Sequence, residues 1–150
     1  MASSQPSECI FCSKGSSPSD RQNHVLCRYQ TCFAILNRFP YNNGHILIAP
    51  YEHVADLDGL GDEQLLEIMK LLRDCKKALS ASMSPDGFNV GLNLGSAAGA
   101  GIEGHIHFHI VPRWPGDTNF MTVTGGTKVI PQSLDETYGI LREALSAQKG

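Results

Sequence analysis

Between His105 and Arg113 the chain reads His-Ile-His-Phe-His-Ile-Val-Pro-Arg, so three of its six histidines stand at alternate positions with apolar residues between them. On a β-strand, successive side chains point to opposite faces, and His105, His107 and His109 would project to one side. Ile106, Phe108 and Val111 are then left for the core. On a helix the same spacing would turn the rings roughly 200° apart. Only the strand gathers them into a site. Imidazole titrates near pH 6.5, so at neutral pH it can attack an electrophile, ligate a metal or donate a hydrogen bond without help from a strong base. His45 sits in a second strand-like run and can supply another imidazole. Cys9 and Cys12 have the spacing of a metal-binding pair but need two further ligands to close a zinc site. The alternative is a pair of free thiols. Cys27 and Cys32 lie in apolar runs, where a buried thiol is the plainer reading. The stretch Gly95 to Gly104 contains a literal Gly-x-Gly-x-x-Gly at Gly99, Gly101 and Gly104. A strand pattern follows it instead of a helix, which excludes a dinucleotide fold. What remains is an ordinary connection or a loop whose small residues let backbone amides cluster around an anion.

His105-x-His107-x-His109-x-x with Pro112-Arg113 behind it resembles the signature of the histidine triad (HIT) superfamily. The likeness extends over residues 37–50 (NRFPYNNGHILIAP), His53, residues 91–104 and residues 114–120 (WPGDTNF). It is closest to the bacterial and archaeal branch that includes diadenosine tetraphosphate phosphorylases. The resemblance implies that His107 is a nucleophile toward the α-phosphorus of a nucleotide and forms a nucleotidyl-imidazole, while His109 and His45 hold phosphate. It implies that His53 and His105 complete a structural zinc site with Cys9 and Cys12, with no position left open for catalysis. Asn37, Asn93, Gly99, Gly101, Ile102, Trp114 and Asn119 match positions around the nucleotide. Where many relatives carry a Gln or Ser donor in the loop, this chain has Gly101 and Ile102, so backbone amides would have to replace it. Trp114 and Asn119 would complete the pocket from the same or a partner subunit. The implied protein is a homodimeric nucleotide hydrolase or nucleotidyltransferase, phosphorylase-type in preference to hydrolase-type. Rival readings are a phosphoramidate or acyl-adenylate hydrolase and a nucleotide-binding module with little turnover.

The elements that must position these groups follow from composition and periodicity. The 150 residues predict one domain over 1–150, with the small polar stretch 1–8 outside ordered structure. A net charge of −3 gives no basic field for nucleic acid or membranes. No apolar run approaches the roughly 18 residues of a membrane span. Five cysteines without an export signal point to a reducing cytoplasm. The resemblance to the histidine triad superfamily implies a small nucleotide as partner and no organic cofactor. Residues 24–29, 32–37 and 45–49 read as an antiparallel meander, the last two joined by the turn signal Asn42-Asn43-Gly44. Residues 13–20 read as loop. Asp62 is the expected cap of a long helix with Leu65, Ile68, Met69, Leu72, Cys75 and Leu79 on its apolar face. Ser84-Pro85-Asp86-Gly87 is a turn, 88–94 a strand, and 105–113 the histidine strand. Asp86 and Asp117 read as turn residues. Ser133-x-x-Glu136 is a capping box opening a last helix with Leu134, Tyr138, Leu141 and Leu145 inward. Apolar Phe33, Ile35 and Ile48 either flank a base or fill the core. The expected fold is α+β and HIT-like: an antiparallel sheet, two main helices and a zinc-knuckle-like N-terminus.

Overall fold

The computed structural model describes residues 9–38, 44–99, 104–117 and 133–149. The expectations for residues 1–8, Asn42, Asn43, Gly101, Ile102 and Asn119 lie outside them. Strands β1 (Val25–Arg28), β2 (Cys32–Leu36), β3 (Ile46–Pro50), β4 (Gly87–Leu92) and β5 (Phe108–Arg113) form one antiparallel sheet in the order β1-β2-β3-β5-β4. The meander is present, with Leu36 opposite Ile46 and Cys32 opposite Pro50. Gly44, at φ +87°, closes the return from β2 to β3, and a Cβ there would lie 2.9 Å from Leu79. Both constraints demand glycine at this position.

Period-2 alternation sorts the sheet into two faces. Ala34, Leu36, Ile46, Ile48, Phe108 and Ile110 turn toward the long helix α3 (Asp62–Met83) and the final helix α4 (Leu134–Lys149), and form the main core with Ile68, Leu71, Cys75, Leu79, Tyr138, Leu141 and Leu145. Truncating one of these buried aliphatic side chains to alanine costs about 2–5 kcal/mol. The opposite face carries Phe33, Ile35, Leu47 and Ala49. They pack against Cys9 and Phe11 at the start of the short helix α1 (Ile10–Ser16). Ile48 therefore belongs to the helix-side core and does not share a face with Phe33 and Ile35.

Several boundaries differ from the sequence reading. Residues 13–16 continue α1, because Gly15 fits against Phe33 and Tyr51 and the helix end is closed by Arg28. A further single turn, α2 (Asp20–Asn23), then leads into β1. Gly61 is the cap of α3, its N–H donating to Gln64 Oε1 at 2.8 Å, and Asp62 is the first helical residue. Leu71 takes the buried place assigned to Met69, which is 47 % exposed. In β5 it is Ile110, and not Val111, that reaches the core. The capping box at Ser133 and Glu136 is formed in both directions, each backbone N–H bonding the other's side chain at 3.1 Å.

Candidate active site

The sheet brings His45 and the histidine stretch together. Leu47 of β3 pairs with His109 of β5. His45, two residues earlier on the same face, is thus the diagonal neighbour of His109, within reach of a ring. Its Nε2 lies 3.1 Å from His109 Nδ1. The His109 and His107 rings stand edge to face at 5.1 Å. His105 and His107 precede the β5 ladder instead of forming part of it, yet their rings keep to one side, since Phe11 touches both, at 5.2 and 4.9 Å between centroids.

The proton positions can be read from partners that only accept. His107 Nδ1 lies 3.1 Å from the carbonyl of His105, so it carries the proton and leaves the lone pair on Nε2. His105 Nε2 lies 2.8 Å from the carbonyl of Pro50, so its lone pair is on Nδ1. Burial pushes His107 and His109 below the usual imidazole range. Burial first, and then the neighbouring His109 and His107, lower His45 to about 4. All three rings are therefore neutral at pH 7.

His105 Nδ1 faces a different group. It lies 3.3 Å from Cys9 Sγ, 3.6 Å from Cys12 Sγ and 3.2 Å from His53 Nδ1, and Cys12 Sγ is 3.3 Å from His53 Nδ1. The four ligand atoms all lie within 4.8 Å of one another and could hold a metal ion. Their chemistry suits one. Burial and the adjacent Cys9 push the Cys12 thiol up to about 11, so two thiolates at this spacing need a cation between them. The buried Nε2 of His53 has no partner among the described residues. Its ring orientation therefore comes from what Nδ1 faces. Two sulfurs and two imidazole nitrogens are a donor set for a closed tetrahedral zinc site.

The remaining expected residues are less concentrated. Asn37 is within the cluster, with Nδ2 3.1 Å from His45 Nδ1. Asn93 sits one residue past the end of β4, exposed, its Nδ2 3.5 Å from the carbonyl of Gly99. It thus ties the end of β4 to the turn at residues 96–99. Gly99 itself adopts φ +91°. Gly91 pairs with His109, and a Cβ added there would meet nothing within 4 Å, which leaves open space beside that ring. Trp114 follows the far end of β5, about 16 Å along the strand from His109 at the usual rise. The described chain does not bring it to the histidines. Asp117 is more than a turn residue: it holds Arg113 through both carboxylate oxygens and accepts from the N–H of Trp114 at 3.0 Å. Cavities of about 220 and 270 Å³ lie along α4 and are lined by none of the histidines.

Two contributors escaped the sequence reading. Phe11 is 1 % exposed and touches rings in both the metal-facing and the His107 groups. Its place between two cysteines was the available signal. Arg28 donates to the carbonyls of Gly15 at 2.6 Å and Ser17 at 2.9 Å, and pairs with Asp20 at 2.8 Å. It neutralises the carbonyl end of α1 and so clamps the helix that follows Cys9. No sequence signal marks that reach.

Comparison with known proteins accords with this geometry. The sequence profile of the HIT domain matches residues 19–116, which include all five histidines of the two groups but neither Cys9 nor Cys12. The chain is 44% identical over 123 residues to a Mycobacterium tuberculosis protein named AP-4-A phosphorylase, covering 82% of this chain and 63% of that protein. It thus spans less than two thirds of that relative's length. It is 35% identical over 107 residues to adenosine 5'-monophosphoramidase of Schizosaccharomyces pombe, covering 70% of this chain and 74% of the relative. Among solved structures, a Zn-bound histidine triad family protein from Mycobacterium smegmatis superposes with a TM-score of 0.75 at 26% identity, covering 97% and 98% of the two chains. By its profile match, its relatives and its fold, the chain belongs to the HIT domain family.

Proposed function

We propose that this chain is a nucleotide hydrolase or nucleotidyltransferase of one domain, acting on diadenosine polyphosphates through His107. The observation that carries the reading is the bond from His107 Nδ1–H to the His105 carbonyl, which fixes a lone pair on Nε2 of a neutral ring. That nitrogen attacks the α-phosphorus. The phosphorus–nitrogen bond forms as the bond to the bridging oxygen breaks, and the nucleoside polyphosphate leaves. Inorganic phosphate or water then attacks the same phosphorus, and the bond to His107 breaks. Splitting one displacement into two is the gain from a covalent intermediate. His109 donates to the phosphoryl oxygens with His45 bonded behind it, while Asn93 and Gly99 stand at the loop that would cradle them; Gly101 and Ile102 belong to the same reading but lie outside the described residues. Preorganised donors of this kind are worth roughly 10²–10³-fold each.

The 44% identity to the M. tuberculosis protein supports a phosphorylase-type acceptor. Incubation with diadenosine tetraphosphate tests it: ADP plus ATP, formed only with phosphate, is expected. AMP plus ATP would instead indicate hydrolysis. The identity to the S. pombe relative favours a second reading, release of AMP from adenosine phosphoramidate, and the same assay with that substrate separates the two.

In this reading Cys9, Cys12, His53 and His105 hold zinc as a structural ion. It supplies the positive charge that lets both cysteines stand as thiolates, and it pins the start of the histidine stretch. None of the five cysteines is disulfide-bonded, which fits a reducing cytoplasm. No helix of the described residues is long and apolar enough to cross a membrane. A homodimer is supported by the outer edge of β4, unpaired among the described residues, and by exposed Val90, Leu66 and Met69. The Val90→Glu variant should elute as a monomer where the parent elutes as a dimer. Trp114 and Asn119 would then belong to the pocket of the assembled dimer.

A further inference from the structure

We infer that Asn37 is a positioning residue that dictates which nitrogen carries the proton on His45 and, through His45, on His109. The meander register creates the arrangement. Leu36 pairs with Ile46, and one step on the N–H of Asn37 donates to the carbonyl of His45 at 2.9 Å. Opposed residues on antiparallel strands put their side chains on the same face. The Asn37 amide then presents Nδ2 to His45 Nδ1 at 3.1 Å. An amide NH₂ only donates, so His45 Nδ1 must offer a lone pair and the ring proton must sit on Nε2. His45 Nε2 lies 3.1 Å from His109 Nδ1 and donates to it. His109 is left with its proton on Nε2.

The consequence rests on the proposed phosphoryl chemistry. His109 stands 5.1 Å from the His107 ring, and its Nε2–H is a donor for a phosphoryl oxygen. The other tautomer would turn a lone pair toward the same anion and repel it. A side chain placed near the nucleotide by likeness thus has a second task that needs no contact with substrate. It orders two rings, neither of which has to be charged.

The test is the tautomeric state of ¹⁵N-labelled histidines in long-range ¹H–¹⁵N spectra at pH 7, on the full chain with its metal. In the parent protein both His45 and His109 should show the Nε2–H form. Asn37→Asp replaces the donor with an acceptor and should switch both rings to Nδ1–H, with kcat for diadenosine tetraphosphate lower by roughly 10²-fold. Asn37→Ala leaves both tautomers open and should lower kcat by roughly tenfold or less. The inference is overturned if the parent rings are not Nε2–H, or if N37D and N37A leave the tautomers unchanged while KM alone rises, as loss of a ribose contact would give. Tautomers that switch as expected in a protein that turns over no nucleotide would keep the relay and defeat the proposed function instead.

Discussion

At His105 the imidazole gives Nε2–H to the Pro50 carbonyl and turns Nδ1 to two sulfurs and His53. Two residues on, His107 does the reverse: it gives Nδ1–H to a carbonyl and keeps its lone pair on Nε2, which bonds none of the described residues. The same side chain, on the same side of one extended segment, turns its lone pair to the thiols in one place and away from the backbone in the other; in the proposed function the first serves a cation and the second an electrophile. What differs is the nitrogen that a backbone oxygen has already claimed. Residue type and spacing establish that there are imidazoles in a row, and the backbone acceptors decide what each can do. Phe11 lies against both rings and joins the two corners mechanically.

The comparison breaks most sharply at His107. The H107N variant keeps a polar group of similar reach but has no nucleophile, and kcat should fall on the order of 10⁴-fold or more. Nucleotide affinity, measured by calorimetry, should change only a few-fold. If turnover survives in H107N, the two corners are not divided as described.

At the metal corner, Cys9→Ser should abolish stoichiometric zinc binding, measured by atomic emission, and should act on stability more than on chemistry. Loss of about 3 kcal/mol would lower Tm by roughly 6–12 °C for a chain of this size. An unchanged metal content would remove Cys9 from the ligand set.

Acid sharpens the contrast in the other corner. His45 is held at about 4 against an ordinary 6.5, so between those values the unfolded chain binds a proton that the folded chain does not. Stability is then complete above pH 6.5 and falls as pH drops toward 4. The urea midpoint followed across that window should decline in the parent and decline less in His45→Gln. For the same reason kcat/KM should stay level from pH 8 down to about 6.5 and fall only below it. The smallest effect is expected for Phe11→Leu, which keeps the apolar volume but loses ring contact with both corners. It should cost less than about 1.5 kcal/mol by urea denaturation and shift kcat only a few-fold.

Much of this was legible in the chain. Alternation in residues 32–36 and 46–50 gave the meander, and the histidine spacing gave the row of imidazoles; that His53 and His105 join the two cysteines came from the family resemblance alone. The failures have physical causes. The periodicity of α3 defines a wide apolar stripe, but only packing against the sheet and α4 decides that Leu71 lies inside it and Met69 at its exposed margin. Residues 13–16 look like loop because Ser and Gly are poor helix formers, yet Arg28 secures that turn from another strand. Asn37 could be matched to a nucleotide contact by likeness, but its partnership with His45 exists only once the register is known. Propensity and motif describe one residue at a time, whereas proton placement depends on pairs brought together from distant parts of the chain.

The most direct measurement is to quench turnover of diadenosine tetraphosphate at alkaline pH, where a phosphorus–nitrogen bond survives, and to map the adduct by peptide mass spectrometry. AMP should be found on His107, and on no residue in H107N. An adduct on His45 or His109, or rapid turnover with none on any histidine, would contradict the account.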